Sequence, residues 1–424
     1  MTEQNKFTKR YAQELDRIDP LKEFSNRFVK HDPELIYLDG NSLGRLSKDS
    51  IPLVETVLHK EWGQGMVRSW GEGWFKAPQR IGEKLSGLVG AGPGQVVISD
   101  TTSINLFKLV MAALDFNKGK TRIISDVLNF PSDLYIVQGC MRLLGDQHSL
   151  ELVPAQDSIN PDLDVLYDMI DENTALVTLS HVVFKSGYLY DAAEITRKAH
   201  EKGALVLWDL SHAVGAVPIE LDQWDVDLAI GCTYKYLNGG PGSPAFLYVR
   251  KELQERMLSP LWGWFGQEQP FAFGLDYQPA EGIDRFLCSS PSILSMYAVE
   301  AALEIVLEAG MPALREKSVQ QSEYLIGLFD HFLEPIGFVL GSPRDVEKRG
   351  SHVSIRHADG YRINQALIEE MKVIPDFREP DNIRLGITPL YTSFEEIWEA
   401  VERMRRVVEE GLYEKYFGER KEIT

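Results

Sequence analysis

Between Val96 and Val249 short apolar runs alternate with segments whose apolar residues recur at helical spacing, and this alternation restricts the fold more than any other feature of the chain. Residues 96–99, 121–125, 150–153, 174–179, 204–207, 228–231 and 245–249 read as strands, and 104–115, 132–144, 163–170 and 192–202 as helices. The strand runs are apolar on both faces rather than alternately, so helices must cover both sides of the sheet they form. The fold class that follows is α/β: a large domain with a mainly parallel sheet sandwiched by helices. In such sheets ligands bind beyond the carboxyl ends of the strands.

The flanking segments read differently. A polar amphipathic helix is expected to end near Val29, and a short strand at 35–38 runs into the turn-rich Asp39-Gly40-Asn41-Ser42-Leu43-Gly44. A long helix over 294–309 leads to strands at 353–356 and 383–385 and a last helix at 395–409, a smaller C-terminal α+β domain. The expected division is 1–80 for an N-terminal segment with substrate and dimer loops, 81–295 for the large domain and 296–424 for the small one. The charged tail after Gly418 is expected to fray.

With 424 residues and 44% hydrophobic content, the chain has room for a large core and two domains. A net charge of -19 argues against nucleic-acid and anionic-membrane partners, which call for clustered Lys and Arg. Cys140, Cys232 and Cys288 show neither metal-ligand spacing nor a paired framework, which fits a reducing, cytoplasmic compartment. No apolar leader opens the sequence and no run approaches the length of a membrane span. The nine His show no HExxH or clustered pattern, so no metal is expected.

Chemistry is concentrated where strands end. Asp209 closes the run Leu205-Val206-Leu207-Trp208, where a buried carboxylate is expensive unless it faces a cation. One strand and a loop later comes Lys235, between Tyr234 and Tyr236 and ahead of Gly239-Gly240-Pro241-Gly242, a loop that permits close backbone approach to a planar ligand. An acid and an imine-forming lysine at one sheet edge point to pyridoxal 5'-phosphate, the Asp keeping the ring nitrogen protonated and the Lys forming a Schiff base. Thr101-Thr102-Ser103 opens an apolar helix, where hydroxyls and free N–H groups suit a phosphate, although an ordinary N-cap accounts for them equally. Phe130-Pro131-Ser132-Asp133 sets an aromatic face and a second carboxylate at the same edge, with a core Phe and a capping Asp as the plainer alternative.

These residues resemble the pyridoxal-phosphate enzymes of the aspartate aminotransferase fold and, among them, the kynureninases. The resemblance spans nearly the whole chain and includes Gly40-Asn41-Ser42-Leu43-Gly44, Arg68-Ser69-Trp70, Phe130-Pro131-Ser132-Asp133, Thr233-Tyr234-Lys235-Tyr236-Leu237, Gly263-Trp264-Phe265-Gly266 and Arg384-Leu385-Gly386-Ile387-Thr388-Pro389-Leu390-Tyr391. It implies that Lys235 carries the cofactor, that Asp209 pairs with the ring nitrogen with Asp133 close by, and that Phe130 stacks on the ring. Pro131 and Ser132 belong to the same cofactor-binding run. Thr102, Ser103, Tyr234 and Trp264 would hold the phosphate end, and Ser180 and His212 would line the site. Arg384 would clamp the substrate carboxylate, with Ser42 and Trp70 near the substrate. Trp264 and Ser290 would reach in from the second subunit of a homodimer.

The implied reaction adds water to the γ ketone of L-kynurenine and breaks the Cβ–Cγ bond. It yields anthranilate and L-alanine in tryptophan catabolism and NAD biosynthesis, with 3-hydroxy-L-kynurenine as a second substrate. Catalysis would rest on Lys235, Asp209 and Tyr234, the last as a proton donor or as a phosphate anchor alone. The chain departs from some relatives at Ser180, where they carry Thr, and at Ser290, where they carry Asn. Trp70 stands where animal members selective for the 3-hydroxylated substrate carry His, which implies a preference for unmodified kynurenine. The rival readings are a cysteine desulfurase or other class V aminotransferase-like enzyme and a catalytically silent cofactor-binding scaffold. A desulfurase carries His where this chain has Phe130 and a mobile Cys, for which Cys288 is the candidate.

Overall fold

The computed structural model describes residues 6–145 and 147–416. The charged tail after Gly418 lies outside the described residues.

A seven-stranded sheet runs in the order Val96–Ile98, Phe246–Val249, Leu228–Gly231, Leu205–Asp209, Thr174–Ser180, Arg122–Asp126, Ser149–Val153. Six strands point one way, and Phe246–Val249 alone runs antiparallel to both its neighbours. Every residue of Thr174–Ser180 and of Leu205–Asp209 is buried. Their side chains alternate between two apolar layers, with Val206 and Trp208 on one face and Leu205 and Leu207 on the other. Full burial of each such side chain contributes about 1.5–3 kcal/mol, which is why these short segments settle as central strands despite their length.

The N-terminal expectation needs correction. Instead of one helix to Val29, the chain forms an α-helix over Lys9–Ile18 and a 3-10 turn over Lys22–Arg27. Pro20 disfavours helical geometry at Asp19. The Asp19 side chain accepts from the Leu21 N–H at 2.8 Å and pairs with the buried Lys317 at 2.6 Å, which anchors the break.

The C-terminal part holds a four-stranded antiparallel sheet, ordered Asp376–Arg378, Asn382–Leu385, Val353–Arg356, Val339–Leu340. The helices Met311–Leu328, Gly360–Met371 and Phe394–Glu409 accompany it, the last opened by a capping box between Ser393 and Glu396. Ile36–Tyr37 pairs in parallel with Val373–Ile374, and the Gly386 N–H donates to the Leu38 carbonyl at 2.6 Å. These contacts bring the 39–44 loop against Arg384. Gly44 then passes so close to the lysine loop that a Cβ there would lie 2.4 Å from the Lys235 carbonyl oxygen, so only glycine fits.

Candidate active site

Five strands of the large sheet frame the site. Pairing places Ser180 beside Asp209 and Asp209 beside Ile230, so the acid stands next to the strand that leads to Tyr234 and Lys235. Arg122–Asp126 leads to Phe130, and Val96–Ile98 leads to Thr101, whose side chain caps the helix Thr102–Phe116. Between these loops and the C-terminal sheet lies a cavity of about 370 Å³. It is within the range of small-molecule and cofactor sites.

One wall of the cavity is acidic. The Ser211 N–H donates to Asp209 Oδ1 at 2.8 Å. Burial pushes the Asp209 carboxyl above the ordinary range against the opposing pull of Lys235. Asp133, in the first turn of Pro131–Leu143, is pushed well above its ordinary value, first by burial and then by the charge of Asp209, with Lys235 again opposing. Ser180 lies behind this wall and donates to Asn129 Oδ1 at 2.7 Å. Facing the carboxyls, Lys235 Nζ is 2.9 Å from His212 Nε2 and 6.0 Å from the centres of the Phe130 and Tyr234 rings. Burial and then the Lys235 charge hold the His212 imidazole well below its ordinary value, so it is neutral. The Tyr234 phenol is raised above its ordinary value by the neighbouring Cys232 thiol and by burial, so it keeps its proton.

At one end, Ser103 Oγ and Ser132 Oγ lie 3.2 Å apart, where the N-termini of Thr102–Phe116 and Pro131–Leu143 converge. Such a place favours an anion. At the other end stands Arg384, 1% exposed, whose guanidinium donates to the Phe184 carbonyl at 2.7 Å and to Ser42 Oγ at 3.0 Å and pairs with Asp376. Burial lowers its ordinary value to about 10, with Asp39 opposing.

These features fit pyridoxal 5'-phosphate. Two buried carboxyls share Lys235 as their cation, and a protonated pyridine nitrogen supplies a second. The converging serines and helix ends suit the phosphate, and the 41% exposed Phe130 offers a ring face to the cavity.

The cavity thus gathers Lys235, Tyr234, Asp209, Asp133, Thr102, Ser103, Phe130, Ser132, His212, Ser42 and Arg384. Pro131 opens the neighbouring helix. Ser180, Trp264, Ser290 and Trp70 do not line the cavity. Trp264 is 42% exposed and its indole donates to the Pro270 carbonyl at 2.7 Å. Ser290 is exposed, and Trp70 stacks edge-on against Trp74 and Phe265. Cys140 and Cys232 are buried, and half-buried Cys288 donates to the Leu261 carbonyl at 3.2 Å, so none of the three thiols lines the cavity. Sequence reasoning missed Asn41, Ser211 and Arg378, which do line it. A charged pair in an otherwise ordinary strand, Asp376 and Arg378, was the available sign.

The chain is 43% identical over 401 residues to the kynureninase of Pseudomonas fluorescens, covering 93% of this chain and 94% of that one. It is 42% identical over 407 residues to the kynureninase of Burkholderia pseudomallei, covering 95% and 96%. The model of the kynureninase C-terminal domain matches residues 314–404. Among solved structures, a cysteine desulfurase from Thermococcus onnurineus superposes with a TM-score of 0.78 at 19% identity, over 94% of this chain and 98% of that one. A cysteine desulfurase from Escherichia coli superposes with a TM-score of 0.75 at 17% identity, over 92% and 99%. At those identities the likeness is one of fold.

Proposed function

The chain belongs to the kynureninase family, and from that premise we propose that the cavity around Lys235 cleaves the Cβ–Cγ bond of L-kynurenine hydrolytically. The products are anthranilate and L-alanine, and 3-hydroxy-L-kynurenine is the second substrate. The observation that carries the reading is the meeting of an amine, Lys235, with two buried carboxyls on one side and a buried guanidinium, Arg384, on the other. A carboxylate clamp opposite an imine-forming lysine suits an α-amino acid and gives a silent scaffold no evident use.

Bound pyridoxal 5'-phosphate supplies the sink for the electrons left at the substrate α carbon. Lys235 would hold the cofactor and, as a free amine, would move the α proton. His212, neutral, accepts from Lys235 Nζ and orients it. Asp209 would keep the ring nitrogen protonated, with Asp133 close by. Thr102, Ser103 and Ser132 hold the phosphate with their hydroxyls and helix N–H groups. Phe130 would pack against the ring. Tyr234, which keeps its proton, delivers one to the β carbon. Arg384 and Ser42 bind the α-carboxylate.

Trp264 and Ser290, outside the lining of their own chain's cavity, complete the site of a second copy in a homodimer, with Trp70 near the aromatic end of the substrate. The division at residues 80 and 295 and a cytoplasmic location belong to the same reading. The desulfurase alternative lacks a thiol at the cavity among the described residues.

The test is to offer purified holoprotein L-kynurenine, 3-hydroxy-L-kynurenine and L-cysteine in parallel. Aryl amino acid release from the first two, faster with unmodified kynurenine, supports the reading. Sulfide from cysteine without an aryl product overturns it.

A further inference from the structure

Arg384 does not meet the cavity as an unengaged cation. Antiparallel pairing sets Asp376 directly across from it, and that carboxylate, 1% exposed, is already on the guanidinium. Asp376 Oδ2 also accepts from Ser42 Oγ at 2.8 Å. Its other oxygen, Oδ1, lies 2.9 Å from Nη1 of Arg378, whose side chain is 39% exposed and lines the cavity. One internal carboxylate is therefore shared between a buried arginine and a cavity-wall arginine. Asp39, the other acid facing both guanidiniums, is buried at the start of the 39–44 loop.

A buried guanidinium without an anion is strongly unfavourable, so an internal carboxylate is needed while no substrate is bound. An incoming α-carboxylate then has to compete with that carboxylate for the same donors. The competition is eased when a second cation draws on Asp376 from the other side. We propose that Asp376 and Arg378 are positioning residues of the carboxylate clamp: Asp376 holds the place of the substrate carboxylate on Arg384, and Arg378 shares its charge so that the substrate can take the place over. The inference rests on the reading of Arg384 as the clamp. It makes Arg378 a determinant of affinity for carboxylate-bearing substrates without contact to the reacting bond.

The experiment compares L-kynurenine with kynuramine, the amine that lacks its α-carboxylate, on the holoenzymes of wild type, Arg378→Gln, Arg378→Lys and Arg384→Gln. Arg378→Gln should raise the KM for L-kynurenine about tenfold, with kcat changed less than about threefold. It should leave the inhibition constant of kynuramine unchanged, and Arg378→Lys, which keeps the charge, should recover most of the loss. Equal weakening toward both compounds, or no change toward either, overturns the proposal. If Arg384→Gln discriminates between the two compounds and Arg378→Gln does not, this inference fails while the clamp stands. If neither variant discriminates, the clamp reading itself fails. Should the Gln variant not fold, the charge-keeping Lys variant decides, since a KM near that of wild type supports charge sharing and an equal loss toward both compounds contradicts it.

Discussion

Lys235 Nζ lies 2.9 Å from Nε2 of a buried, neutral His212. A neutral imidazole accepts from the amine, so the ring fixes where Nζ points without competing for positive charge in the site. Replacing His212 with Phe removes this acceptor and keeps the bulk. The expected outcome is a fall in the single-turnover rate of about 10²-fold, the scale of an angstrom-level misplacement. Cofactor content, read by absorbance after denaturation, should stay near that of wild type.

Asp133 and Asp209 are close enough for the charge of one to raise the other. A carboxyl raised in the folded state adds stability below its unfolded value and loses it as pH rises through the folded one. In the apoprotein, Asp133→Asn should therefore stabilise at pH 7, on the order of 1–3 kcal/mol, and have little effect at pH 3. Urea denaturation of the apoprotein at the two pH values measures this. In the holoprotein the same change should weaken cofactor retention, because the acidic wall that faces the ring nitrogen is diluted.

His181 packs between Trp208 and Trp224 and is held at about 4 by burial. A histidine lowered in the folded state leaves stability intact above its unfolded value. Below that value the unfolded chain gains a proton that the native chain refuses, and stability falls with pH. His181→Gln should flatten the stability profile between about pH 6 and 4 by one proton, close to 1.4 kcal/mol per pH unit. Denaturation curves across that range provide the check, with the buried His352 held at about 3 retained as a second acid-labile group.

Trp264 and Ser290 lie outside their own chain's cavity, and the resemblance assigns them to a partner's site. If they complete a partner's site, two inactive variants, Lys235→Ala and Trp264→Ala, should complement each other when refolded together. Random pairing would restore about a quarter of wild-type activity, since each mixed dimer holds one intact site. No recovery on mixing contradicts shared sites.

Much of the large domain was legible because its strands are apolar on both faces, a pattern that needs no knowledge of partners. The acid and lysine were legible from their neighbours: Asp209 closes a wholly apolar strand, and Lys235 sits between two tyrosines ahead of a glycine-rich loop. The N-terminal helix was drawn too long because amphipathic periodicity continues past Pro20, whereas backbone sterics and the Asp19–Lys317 pair end it. The Arg384 surroundings were legible only in part. Asp376 meets Arg384 through an antiparallel register, and Ser42 reaches both through a parallel pairing of Ile36–Tyr37 with residues far along the chain. Neither register leaves a local trace in composition. The roles of Trp70, Trp264 and Ser290 came from resemblance alone, since a single chain does not gather them at the cavity.

The most direct test of the central claim is the stoichiometry of turnover by purified holoprotein on L-kynurenine, following anthranilate fluorescence and L-alanine together, beside Lys235→Ala. Equal amounts of the two products from wild type, and neither from a folded Lys235→Ala variant, are the predicted result. Anthranilate without matching alanine, or product formation that persists without Lys235, would contradict it.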